Sequence, residues 1–250
     1  MKKILAMLLV LVLALSFAAY NKDNNDDPKF DPSAKSEGVM TYAEYDAAEL
    51  DTPVVIEAYV QATQSWWDNK ITIYAQDPDG AYFIYNAACT EEDAAKLVPG
   101  TKIKVTGHKG AWAGEVEVMD ATFEIVTDGT WTAEAVDATA LLGTDDLIKS
   151  QNKKVAFKGL TVEASNDAGA AFLYNWDGSG TEGSDSDLYF KASLNGNTYT
   201  FVIEHYLTGA DSDAYKAVQS LKVGDKIDLE GFLYWYEGAQ PHITGVTVVE

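Results

Sequence analysis

Two stretches of the 250-residue chain decide its fold: Pro99-Gly100-Thr101-Lys102-Ile103-Lys104-Val105-Thr106-Gly107, and Val223-Gly224-Asp225-Lys226-Ile227-Asp228-Leu229-Glu230-Gly231. Each places a turn glycine before a run in which apolar and polar residues alternate, the pattern of a half-buried strand. A second pair of matches lies upstream. Gly38-Val39-Met40-Thr41 followed by Asp46-Ala47 lines up with Gly129-Thr130-Trp131-Thr132 followed by Asp137-Ala138. Both halves open and close alike, so the chain is an internal duplication with boundaries near Gly38 and Gly129. The second copy is longer, and much of its excess falls in the loop-like run from Asp177 to Asp187, rich in Gly, Ser and Asp.

Periodicity orders the elements within the first copy. Residues 54–62, 71–75 and 81–85 read as strands, the last two separated by the turn Asp77-Pro78-Asp79-Gly80. Thr90 then caps a short helix whose first turn is acidic, and Pro99-Gly100 closes that segment. Residues 102–108 and 115–126 supply two further strands. The second copy repeats the order at 155–164, 171–176 and 188–203, with a turn at Asn195-Gly196, a helix over 211–220, and strands at 226–236 and 242–249. A helix between the third and fourth of five strands is the order of the OB-fold. The expected fold class is therefore mainly β, as two tandem OB-fold-like five-stranded barrels, each with a short helix between strands three and four. An immunoglobulin-like sandwich is the competing fold, and the inserted helices weigh against it.

The stretches 54–62, 82–85, 96–107 and 114–126 resemble the OB-fold domains of exported, lipoprotein-like bacterial envelope proteins of unassigned role, and the second copy resembles a more divergent member. The resemblance implies a fold and an envelope location and carries no catalytic residue across. The start of the chain is read the same way. Lys2 and Lys3 precede an apolar run from Ile4 to Phe17 broken only by Ser16, the layout of a secretory signal peptide too short to cross a bilayer as a helix. The expected division is a signal peptide at 1–18, a flexible acidic tether at 19–37, a first barrel at 38–128 and a second, decorated barrel at 129–250. At the lipoprotein junction Leu15-Ser16-Phe17-Ala18-Ala19-Tyr20-Asn21, Tyr20 stands where the family has its lipidated Cys. Lipid anchoring is thus not carried over, and a secreted or envelope-associated, extracytoplasmic protein is expected, with an anchored form as the runner-up.

Charge narrows the function classes. The formal net charge is −21, all 18 basic residues are lysine and no arginine occurs. Such a surface repels phosphate backbones and anionic headgroups, and it lacks the side chain best suited to bidentate phosphate and guanine contacts. Cys89 is the one cysteine, which excludes an intramolecular disulfide and reads as a small buried residue. His108, His205 and His242 are scattered without metal-ligand spacing, and the Asp177–Asp187 run departs from the EF-hand loop, with Glu182 at its glycine position. No nucleophile elbow or phosphate loop is present. The expectation is a protein without catalytic residues, cofactor or metal.

OB-folds bind through the face of strands two and three and the loops joining strands one to two and four to five. In the first copy those loops hold Trp66, Trp67 and Lys70, and Trp112; Tyr74 and Tyr82 lie on the adjoining strands; and Trp235 and Tyr236 occupy the matching turn of the second copy. Two readings compete. Exposed together, these aromatics form a common site for a carbohydrate or another neutral ligand; buried, they cap the barrels or seal the contact between them. An envelope glycan or another protein is the expected partner, ahead of single-stranded nucleic acid, with a structural spacer as the remaining alternative.

Overall fold

The computed structural model describes residues 30–249, and Asp31 onward forms one compact unit. The expected signal peptide and most of the tether lie outside the described residues. The tether's last residues are held: Lys35 forms an ion pair with the fully buried Asp77 and donates to the Glu57 carbonyl, and the Ser36 amide donates to the Glu57 carboxylate. Lys35 and Ser36, expected in the flexible tether, are therefore part of the fold.

The first barrel begins with a helix that periodicity did not reveal, α1 (Tyr42–Ala47), whose Thr41 and Glu44 form a capping box. Tyr42 and Tyr45 of α1 pack edge-on against Tyr82. Gly80 permits this, because a Cβ there would sit 2.1 Å from the Tyr42 ring. Five strands follow, β1 (Pro53–Thr63), β2 (Lys70–Gln76), β3 (Ala81–Ala88), β4 (Thr101–Trp112) and β5 (Glu115–Thr130), with α2 (Glu91–Ala94) between β3 and β4. Thr90 caps α2 by accepting from the Asp93 amide, as expected. The strands close in the order β1-β2-β3-β5-β4, with β4 paired back to β1. β5 runs through Gly129, so the opening motif of the second copy overlaps the last strand of the first barrel.

The second copy contributes β6 (Val136–Asp137), β7 (Lys154–Glu163), β8 (Phe172–Tyr174), β9 (Leu188–Leu194), β10 (Asn197–Ile203), β11 (Lys226–Phe232) and β12 (His242–Val249), with α3 (His205–Thr208) and α4 (Asp213–Ser220) after β10. β7, β11, β12, β10 and β9 pair in that order, and β7 also pairs with β9, which closes a second five-stranded barrel. In barrel terms this is again one-two-three-five-four, with strands three and five parallel in both copies. The OB-type order is therefore present twice. One expected strand is reassigned. The run at 171–176 is not the second barrel strand; it forms β8, an appendage on β9, and the hairpin β9–β10 supplies strands two and three. Its turn is at Asn195-Gly196, where both residues take positive φ, as an Asn-Gly hairpin requires.

Each barrel has its own apolar core, and a third cluster joins them. Tyr74 and Phe83, on the outward face of β2 and β3, are buried against Phe232 of the second barrel, with Ala62, Leu207 and Tyr234 around them. Polar contacts continue the seam: the Ser65 amide donates to Tyr206 O at 2.7 Å, Gln64 Nε2 to Glu204 at 2.7 Å, and Asn152 Nδ2 to Val116 O at 3.0 Å. At the hairpin tips the Glu237 amide donates to Ala113 O at 2.7 Å, and the Trp235 indole lies over Gly114, leaving no room for a Cβ there. The face by which OB-folds usually bind is thus consumed, in the first copy, by the second barrel.

Candidate functional site

The equivalent face of the second barrel stays open. A cleft of about 610 Å³ lies on it, lined by Tyr189 of β9, Val202 of β10, Trp176 and Asp187 from the loop before β9, Tyr234, Tyr236 and Gln240 from the β11–β12 loop, Glu204, His242, and Trp112 from the β4–β5 tip of the first barrel. The loops and strands are those that OB-folds use for ligands. Trp176 is 75% exposed, Trp112 64% and Tyr236 46%, so three aromatic side chains present large surfaces to solvent.

Local interactions hold this wall in place. The loop carrying Trp176 is pinned where the Asn175 amide donates to Asp187 O at 2.8 Å, and Tyr215 of α4 donates to Ser186 O at 2.8 Å. Asp187 Oδ1 in turn accepts from the His205 amide at 2.7 Å, at the start of α3. Tyr234 stacks on His242 with ring centres 4.3 Å apart. Below the cleft floor, His242 Nδ1 meets the Tyr74 hydroxyl at 2.7 Å and Glu204 at 3.3 Å. The network spans both barrels, so the cleft geometry depends on their docking.

The electrostatics are acidic. Burial, with the neighbouring Glu204 charge, raises the Asp187 carboxyl above its ordinary range, although its bond from His205 opposes this. Burial also works to raise Glu204, but the hydrogen bond and charge of His242, with Gln64 and Tyr74, outweigh it and hold Glu204 low. Burial and the two carboxylates push the Tyr189 hydroxyl up to about 12. Near neutral pH Tyr189 is a neutral donor and Glu204 a carboxylate acceptor. The cleft therefore offers broad ring faces bordered by hydrogen-bonding groups, the lining of a site for an uncharged, hydroxyl-rich ring.

The structure distributes the sequence-predicted residues differently from the expected single cluster. Trp112 and Tyr236 meet in this cleft. Trp66 instead packs on the first core, donates to Cys89 O at 2.8 Å and lines a separate groove with Ser65 and Tyr206. Trp67, 79% exposed, and Lys70 pair across the β1–β2 turn. Tyr74 is buried in the inter-barrel seam and Tyr82 in the first core, so neither is available to a ligand. Trp235 packs on the second core and over Gly114. The expected convergence of Trp66, Trp67 and Trp112 is corrected accordingly: Trp66 is held on the first core and Trp67 stays at the β1–β2 turn, while Trp112 reaches the cleft of the second barrel. Trp176, Asp187, Tyr189, Glu204, Tyr234, Gln240 and His242 were missed. Trp176 and Tyr234 escaped because the expected strands at 171–176 and 226–236 run past the observed ends of β8 and β11, which leave both residues in loops; Glu204 and His242 carry no sequence signal.

No protein-family model and no curated protein matches the chain. Among solved structures, the asparaginyl-tRNA synthetase from Pyrococcus horikoshii complexed with asparaginyl-adenylate aligns with 41% of this chain and 20% of its own, at 13% identity and a TM-score of 0.29, so the chain spans about a fifth of that protein's length. A murine DNA binding protein bound with double-stranded DNA aligns over 80% of this chain and 99% of its own, at 14% identity and a TM-score of 0.33. A variant of the single-stranded DNA binding protein from Thermus aquaticus aligns over 79% and 94%, at 10% identity and a TM-score of 0.27. Likeness at this level assigns no ligand, and the OB-type description rests on the strand order itself.

Proposed function

We propose that the chain is a non-catalytic, exported binding module of the cell envelope whose second barrel takes a carbohydrate through the aromatic cleft. The observation that carries this reading is the convergence of Trp112, Trp176, Tyr189, Tyr234 and Tyr236 on one OB-type binding face. Sugar rings lay their C–H faces on aromatic platforms while their hydroxyls donate to Glu204 and Asp187 and accept from Tyr189 and Gln240. The net charge of −21 and the carboxylates of Asp187 and Glu204 in the lining favour such a neutral ligand over a polyanion. Export is the expectation drawn from residues 1–18.

Single-stranded nucleic acid is the second reading, favoured by the same platforms, since stacking is indifferent to which ring it holds and OB faces take oligonucleotides as well as oligosaccharides. Intrinsic tryptophan fluorescence, titrated with neutral glycan fragments and with single-stranded oligonucleotides at low and physiological salt, separates the two. Saturable, salt-insensitive glycan binding that Trp176→Ala and Trp112→Ala abolish supports the proposal. Oligonucleotide binding that weakens with salt replaces it with the second reading. Silence with both sinks both.

A further inference from the structure

The cleft does not end at Tyr189. A second groove of about 300 Å³ shares Trp176, Tyr189 and Gln240 with it and continues over Lys191, Thr200, Ser165 and Leu173. The register of the β9–β10 hairpin explains the continuity. Tyr189 pairs with Val202, and Lys191 pairs with Thr200. The two rungs are two residues apart, so their side chains project from the same face of the sheet, displaced by about 7 Å along the strands. That step is on the scale of one ring unit to the next in a linear oligomer.

The two rungs differ in chemistry. The first is aromatic and acidic, with Trp112, Trp176, Tyr189, Asp187 and Glu204. The second carries Lys191, whose ammonium has no hydrogen bond among the described residues, and the exposed Thr200; Ser165 Oγ is engaged with Ala171 O at 3.0 Å. Trp176 and Tyr189 form the wall common to both. A ring seated on the first rung would therefore direct its linkage across that wall toward donors on the second.

We infer that the face holds an oligosaccharide in two consecutive subsites, one ring against Trp112, Trp176 and Tyr189 and the next over Lys191 and Thr200. This rests on the carbohydrate reading of the same cleft. It adds a ligand class, a linear oligomer and not a single sugar, and a residue, Lys191, that distinguishes chain lengths by donating to oxygens of the second unit. Thr200 supplies a hydroxyl at the same rung. The first subsite supplies the stacking, and the second adds hydrogen bonds that a monosaccharide cannot reach.

Isothermal titration of the full chain with neutral N-acetylhexosamine oligomers of one to four units tests this. Affinity is expected to rise at least about tenfold from one unit to two or three, the effect of one or two added hydrogen bonds to a charged donor. Lys191→Met, which keeps the aliphatic stem, is expected to remove most of that rise while the protein melts as before. Equal affinity for all lengths, or a length dependence unchanged by Lys191→Met, overturns the two-subsite inference and leaves the carbohydrate reading standing. Absence of binding at every length overturns that reading as well.

Discussion

Glu115 sets a pH dependence on the contact between the barrels. Its side chain is fully buried at the start of β5, where Oε2 accepts from the Trp235 amide at 2.8 Å and from Gln151 Nε2 at 3.2 Å, both from the second half. Oε1 has no partner, and neither does Oδ1 of the adjacent Asn152, whose Nδ2 is committed to Val116 O. Two orphaned acceptors on neighbouring side chains are reconciled by one proton on Glu115. Burial, with the nearby Glu117 charge, pushes its carboxyl up to about 8 from an ordinary 4.5, against the hydrogen bonds from Trp235 and Gln151. The folded protein then holds a proton that the unfolded chain releases above pH 4.5. This contribution is fully present below that value and is lost as pH rises toward 8. Over the two and a half units to pH 7 the loss is about 3 kcal/mol, at 1.36 kcal/mol per unit. Glu115→Gln keeps an acceptor for Trp235 and gains a fixed donor for Asn152. Urea unfolding of both proteins at several values between pH 4.5 and 8 isolates the effect, since other titrating groups cancel in the difference. The stability of the variant relative to wild type should climb by about 3 kcal/mol between pH 4.5 and 7. A difference that stays flat over this range would show that Glu115 is ionised in the fold and refute the reasoning.

Other substitutions probe separate parts of the structure. Trp176→Ala and Trp112→Ala should change stability by no more than about 0.5 kcal/mol, as expected for exposed positions, while reducing glycan affinity; a large drop in melting temperature would mean that they hold the fold. Trp66→Ala should do the reverse, costing about 2–4 kcal/mol in denaturant unfolding and leaving affinity unchanged, because Trp66 packs on the first core and donates to Cys89 O. Gly80→Ala should cost about 1–3 kcal/mol by driving Tyr42 and α1 off the barrel, with unchanged melting as the contrary result. Lys109→Met should cost about 2 kcal/mol or more in thermal unfolding, because the buried Lys109 Nζ donates to the carbonyls of Tyr45, Asp46 and Ala48 at the end of α1 and its removal takes a charged donor from all three.

The duplication and both barrels were legible in the sequence because strands of period two, glycine-marked turns and a capped helix are local signals. The paired runs at Gly100 and Gly224 open β4 and β11, the matching fourth strands. α1 escaped notice because a helix of six residues is too short to show a period, and its place depends on Gly80, which is distant in the chain. β8 was misassigned because an appended strand and a barrel strand share one local pattern, and pairing alone distinguishes them.

The candidate site was legible only in part. Sequence determined the charge, the absence of arginine, the repeat, and which loops carry aromatics. It singled out Trp112 and Tyr236, which do line the cleft. What it could not determine is which of two equivalent faces is covered. Tyr74 and Phe83 read as ordinary strand aromatics, and only their burial against Phe232 turns the first barrel's face into a seam. The same contact leaves the second face open and brings Trp112 across to it, and it sets Tyr74 against His242 and Glu204. Local patterning fixes elements because neighbouring residues encode it; the docking of two barrels is decided by apolar surfaces far apart in the chain, which come together only when both have folded.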